Sequence, residues 1–389
     1  MPVAIASLVL GYVLSQFYRA FLAVLTPVLA ADLGTTPESL ASASGWWFLA
    51  FAVMQLPVGW ALDRIGPRRT ASGLLLVAAA GAALFAMATG PGAVIWAMAL
   101  IGAGCSAILM AGYYIFARQF SAAVFGTLAA VMVGVGSLGN LAASLPLSAA
   151  VAAIGWRGTL WSLASVTAVV ALAIFALVRD PARVEGGARG SVLDLLKMPA
   201  LWPVLIMMAA AYPPAAGLRG LWAGPWQADV FGADAAAIGQ VTLIMGLAMV
   251  VGTFAYGPLE RVLGTRKWLN FAGNALALAC LVGLMLRVDQ PGWLTVGLLA
   301  GVGFYGSSFP MLMGYGPAFL PPLVIGRGVT LINLFGIGAA GVMQLVTGRV
   351  YAAAAPEPVQ GPYAAVFMTY VVLVAVGLVV YLFSRDRTD

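Results

Sequence analysis

Twelve runs of predominantly apolar residues, most of them long enough to cross a bilayer as helices, follow one another along the 389 residues of this chain. A spanning helix needs about 20 such residues, because a lipid interior leaves every backbone polar group to be satisfied within the segment. The runs lie near 4–31, 40–62, 70–90, 93–117, 123–148, 158–178, 200–228, 236–258, 268–287, 293–319, 328–350 and 363–384. A β-barrel would show short alternating segments instead. Only 8% of the residues are charged, against about 25% in soluble domains, so the chain cannot cover a water-facing surface. The same figure excludes disorder. The expected fold class is an all-α membrane protein with twelve transmembrane helices.

The breaks between runs carry the basic residues. With a cytoplasmic N-terminus, the inner breaks and the tail hold Arg64, Arg68, Arg69, Arg118, Arg179, Arg183, Arg189, Lys197, Arg261, Arg266, Lys267, Arg327, Arg385 and Arg387. The outer breaks hold Arg157, Arg287 and Arg349. This bias predicts a multi-pass protein of the inner (cytoplasmic) cell membrane with both termini in the cytoplasm. It also accounts for the net charge of +6 without a nucleic-acid partner, since no basic cluster is interleaved with aromatics. The lipid bilayer is the expected macroscopic partner, and a monomer the expected state. Met1 to Leu10 lacks the basic start of a cleavable signal peptide. Cys105 and Cys280 both lie in apolar runs, as small buried hydrophobes do. There is no His, so no catalytic triad and no imidazole metal site. No P-loop occurs either. Neither an enzyme nor a resident cofactor is expected.

The chain echoes itself at an interval close to 200 residues. Arg19, Pro27, Asp32 and Gly34 in the first run are matched by Arg219, Pro225, Asp229 and Gly232 in the seventh. Asp63 to Arg69 follows the second run, and Glu260 to Lys267 follows the eighth. Gly126 and Gly136 find counterparts in Gly328 and Gly336. A duplicated six-helix unit explains this. The predicted organisation is an N-terminal bundle over 1–178, a cytoplasmic linker over 179–199 and a C-terminal bundle over 200–389, the two bundles pseudo-symmetric.

The stretch Gly59-Trp60-Ala61-Leu62-Asp63-Arg64-Ile65-Gly66-Pro67-Arg68-Arg69 resembles the loop 2–3 signature of the major facilitator superfamily, and every specified position matches. Gly155-Trp156-Arg157 before the sixth run is similar to another recurrent feature of that superfamily. The physics of the first motif is independent of the name. Gly59 admits a close helix approach and Gly66 a tight turn. Asp63 can meet a helix N-terminus, while Arg64, Arg68 and Arg69 anchor the loop at an anionic leaflet. The resemblance implies a gate built from Gly59, Asp63, Arg64, Gly66, Arg68 and Arg69, with a weaker copy in Glu260, Arg261, Arg266 and Lys267. It also implies a secondary transporter working by alternating access. Two departures narrow this. Met98 stands where many proton-coupled members carry Arg, and the Gly-Pro pair of drug–proton antiporters is missing from the fifth run.

Two basic residues, Arg19 and Arg219, lie inside runs, where an ionised group is costly and normally faces a cavity. Guanidinium forks match carboxylate or phosphate oxygens, so the expected solute is a small organic anion held between the repeats. The pair resembles that of the organophosphate–phosphate antiporter branch. Gln16, Tyr18, Tyr113, Trp222, Trp226 and Asn333 are candidate companions, the aromatics offering stacking faces. Exchange or uniport is favoured over proton symport, with a coupling ion left open. The alternatives are a carrier of a neutral aromatic nutrient or drug, a copper importer using Met245 and Met249, and a non-transporting receptor or assembly factor. The glycines and prolines around the tenth run, among them Gly316, Pro317, Pro321 and Pro322, are expected to permit unwinding.

Overall fold

The computed structural model describes residues 2–181, 192–315, 325–354, 356 and 358–386. Arg183, Arg189, Arg387, Gly316, Pro317, Pro321 and Pro322 lie outside the described residues, as does the side chain of Arg327. Helices account for nearly all that is described, and no strand occurs among these residues. Among the described residues eleven helical segments are long and apolar enough to cross a membrane, and a bent pair brings the number to twelve.

The chain divides into two compact units, Met1–Glu185 with Asp234–Gln240, and Gly186–Ala233 with Val241–Asp389. In the first, the spans are formed by α1 (Pro2–Tyr18) with α2 (Leu22–Leu33), α3 (Pro37–Arg64), α4 (Pro67–Ala86), α5 (Pro91–Cys105) with α6 (Ile108–Gln119), α7 (Ala122–Ala142) and α8 (Leu145–Leu177). In the second they are α9 (Trp202–Gly217) with α10 (Ala223–Phe231), α11 (Ala235–Leu263) from Val241 onward, α12 (Lys267–Leu286), α13 (Trp293–Tyr305) with α14 (Phe309–Tyr315), α15 (Ile325–Ala353) and α16 (Gly361–Tyr381).

Local chemistry sets many helix starts. Thr36 Oγ1 accepts from the Ser39 N–H at 3.2 Å and Ser39 Oγ from the Thr36 N–H at 2.9 Å, a reciprocal cap on α3. Proline, whose missing N–H costs nothing in a first turn, opens α4 and α5. Within each unit the same neighbours recur. The first span packs on the fifth (α1 on α7, α9 on α15), and the third on the fourth and sixth (α4 on α5 and α8, α12 on α13 and α16). Small residues let these backbones meet: a Cβ on Gly104 or Gly139 would collide with the carbonyl of Leu74 or Val13 on the facing helix.

Several spans depart from the expected single helices, and the first, fourth, seventh and tenth are each built of two. The first run is broken between Tyr18 and Leu22 and bends by 54°. The fifth ends at Ala142 rather than near 148, because α8 begins at Leu145 and turns sharply at Gly155 (φ 70, ψ 165). That conformation requires glycine. It delivers the Trp156 indole N–H to Asp32 at 2.7 Å, and sets Arg157 3.5 Å from the same carboxylate and 2.9 Å from the Ala88 carbonyl. In the second unit the matching contact joins the Tyr363 hydroxyl to Asp229. Each unit thus ties the end of its first span to the start of its last.

Candidate functional site

In the first unit Arg19 sits in the break between α1 and α2, half-buried. The turn tightens there, with the Ala20 N–H donating to the Phe17 carbonyl at 3.0 Å. Its guanidinium lies 5.4 Å from the ring centroid of Trp47 and 5.4 Å from that of Phe51. These rings stand one helical turn apart on α3 and stack at 5.3 Å, 21° from parallel. An aromatic face lends a cation in an apolar setting about 0.5–2 kcal/mol. Of the expected companions, Gln16 Nε2 donates to the Tyr12 hydroxyl at 3.1 Å, and Tyr18 bonds Thr167 at 2.9 Å. Tyr18 is fully enclosed. Tyr113 is half-buried on α6, with its ring 5.9 Å from Phe125.

In the second unit Arg219 is 4% exposed and occupies a π-helical turn, Leu218–Trp222, between α9 and α10. The Ala223 N–H reaches back five residues to the Leu218 carbonyl. Pro213 and Pro214 precede this turn and remove two helix donors. The eleventh span holds the widened region: Gln344 Nε2 approaches the Gly217 carbonyl at 3.4 Å, and Thr347 Oγ1 accepts from the Trp222 indole at 3.0 Å. Trp226 donates to the Val288 carbonyl at 2.9 Å. Both tryptophans are 1% exposed and packed on aromatic neighbours, Trp222 on Tyr351 and Trp226 on Phe367. Asn333 is half-buried on α15. The Met245 and Met249 side chains pack over Gly303, whose Cβ would lie 3.2 and 3.0 Å from their Cγ atoms.

The expected gate residues occupy matching loops. Gly66 (φ 101) precedes α4, and the Arg68 N–H in the first turn of α4 donates to Asp180 Oδ1 at 2.7 Å. A Cβ on Gly66 would fall 2.8 Å from that carboxylate. The Arg68 guanidinium lies 4.6 Å from the Phe175 ring centroid. Asp63 and Gly66 line a small cavity of about 100 Å³ together with Tyr114 and Asp180. Arg64 and Arg69 are exposed. The close helix approach expected at Gly59 is absent here, since a Cβ there would meet nothing within 4 Å. In the other unit Glu260 accepts from Arg266 at 2.5 Å, and Arg261 is exposed. Asp386 repeats the role of Asp180: it accepts from the Lys267 N–H at 3.1 Å and from Thr265 Oγ1 at 2.5 Å. Lys267 Nζ donates to the Leu382 carbonyl at 2.7 Å.

Sequence reasoning missed Trp47, Phe51, Asp180 and Asp386. The two aspartates stand 206 residues apart, close to the repeat interval, a signal that was present. Trp47 carried none, since Leu247 stands 200 residues on.

Comparison with known proteins places this geometry. The family model described as Major Facilitator Superfamily matches residues 8–344. No curated protein matches the chain. Among solved structures, a bacterial homolog of the human lysosomal transporter Spinster, inward-facing and unoccupied, is similar with a TM-score of 0.80 at 15% identity, over 97% of this chain and 95% of that one. The D-xylose–proton symporter gives 0.76 at 14% over 98% of both chains. The nucleoside transporter NupG gives 0.75 at 13%, also over 98% of both. At these identities the likeness is one of fold.

Proposed function

The chain belongs to the Major Facilitator Superfamily, and on that premise we propose what it carries and which residues hold it. It is a multi-pass membrane transporter of a small solute, working by alternating access. The solute is an organic anion. The observation that supports this is that each unit keeps a guanidinium inside its first membrane span, at the point where that span leaves regular α-helical geometry. Irregular backbone at membrane depth is tolerated where it lines a cavity or is buried in protein, and π turns concentrate at functional sites. A charge kept there at such cost serves a ligand. Arg19 and Arg219 bind the anion, with Gln16, Tyr113 and Asn333 as polar neighbours. Tyr18, Trp222 and Trp226 support them from the packed helices.

The loops around Asp63–Arg69 and Glu260–Lys267 form the gate, and the halves divide within 179–199. The protein resides in the inner membrane as a monomer with both termini cytoplasmic. Exchange or uniport fits a chain without His better than proton symport.

Replacing Arg19 or Arg219 by Gln tests the reading. A charge-assisted hydrogen bond is worth about 1.5–3 kcal/mol, so each variant should require roughly 10- to 150-fold more anion for half-maximal uptake into proteoliposomes. Undiminished anion uptake by both variants would refute the anion site. Uptake of a neutral aromatic solute that survives both changes would establish the neutral carrier in its place.

A further inference from the structure

Four tryptophans give their indole N–H to an acceptor. Trp156 donates to Asp32, Trp222 to Thr347 and Trp226 to the Val288 carbonyl, and on α9 Trp202 donates to the Leu196 carbonyl. Trp47 does not. It is 1% exposed, and its Nε1 has no hydrogen-bond partner among the described residues. A buried indole N–H ordinarily finds an acceptor, and one left without calls for a specific explanation.

The position of this donor is informative. The Trp47 ring is fixed by stacking on Phe51, and one face is given to the Arg19 guanidinium. Its backbone carbonyl is pressed against Gly102 of α5, so α3 has no room to shift there. An indole N–H projects from the ring edge, in the ring plane, and so remains available while the face is occupied. A charged donor and a neutral donor are therefore held side by side on a rigid helix, next to the break in the first span. We propose that Trp47 is a solute-contacting residue whose indole N–H donates to the oxyanion that Arg19 binds. Carboxylates and phosphates can accept from both donors through different oxygens. The inference rests on the anion reading above.

The test uses the purified full-length protein in detergent, with benzoate and inorganic phosphate as probes and thermal unfolding as readout. Trp47→Phe keeps an aromatic ring beside Phe51 and Arg19 but deletes the N–H. The smaller ring leaves a cavity that lowers the melting temperature without anion, so the readout is the anion-dependent shift above each variant's own melting temperature. The anion concentration giving half the maximal stabilisation should rise about tenfold, equivalent to about 1.4 kcal/mol. Trp47→Tyr, which restores a donor at the ring rim, should recover part of that loss. It also provides the measurement if the Phe variant is poorly folded. An unchanged half-saturating concentration in these variants overturns the inference. If Arg19→Gln abolishes anion stabilisation while Trp47→Phe leaves it intact, only the role of Trp47 falls. If neither probe stabilises the wild type, the role of Trp47 and the anion site fall together.

Discussion

Gly66 meets two independent demands. Its φ of 101 lies where a side chain is strained, and its α-hydrogen faces the Asp180 carboxylate, 2.8 Å from where a Cβ would stand. Gly66→Ala should therefore destabilise the protein by about 2 kcal/mol or more, read as a lower melting temperature with slowed transport. The two costs separate in a double variant. With Asp180→Gly already present the clash vanishes, and Gly66→Ala should cost only the backbone part. An undiminished cost would place the whole effect in the dihedral angle. At this scale Arg19 and Arg219 were the legible residues, because a guanidinium within an apolar run stands out in any reading. Trp47 was not, since its significance lies in an acceptor it lacks, and a tryptophan in an apolar run looks like ordinary core.

Helices in each unit are tied at both ends by carboxylates. Asp32 and Asp229 close the end of the first span against the start of the last, through Trp156 and Tyr363. Asp180 and Asp386, each beyond the last span of its unit, accept backbone N–H groups from the first turn of the third. Such a carboxylate satisfies donors that a helix start leaves open and meets the positive end of the helix dipole. Asp180→Ala and Asp386→Ala should each lower stability by about 1 kcal/mol. The corresponding asparagines, which keep an accepting oxygen, should lose less. An equal loss for Ala and Asn would assign the effect to charge alone. Gly155-Trp156-Arg157 was legible as a motif, and the positive φ of its glycine explains why the motif needs that residue. The break after Tyr18 was not legible, for residues 19–21 contain neither Gly nor Pro.

For the molecule as a whole, twelve spans and a twofold internal repeat could be read directly, since apolar length and a recurrent interval survive in sequence without any knowledge of packing. The partner pattern inside each unit could not, because it depends on close approaches such as Gly104 on Leu74 and, between helices far apart in sequence, Gly139 on Val13. The basic residues make a prediction of orientation. In chains lacking Cys105 and Cys280, an impermeant maleimide applied to intact spheroplasts should label Asp289→Cys. It should reach Arg385→Cys only after permeabilisation. The opposite pattern would reverse the topology. One last feature bears on how such a chain is read. The widened turn around Arg219 lodges a surplus residue in the seventh span, and one residue is worth about 100° of rotation about the axis. A single angular phase therefore cannot describe that span: the side that Trp202–Gly217 turns inward is continued beyond the slip by a different set of positions.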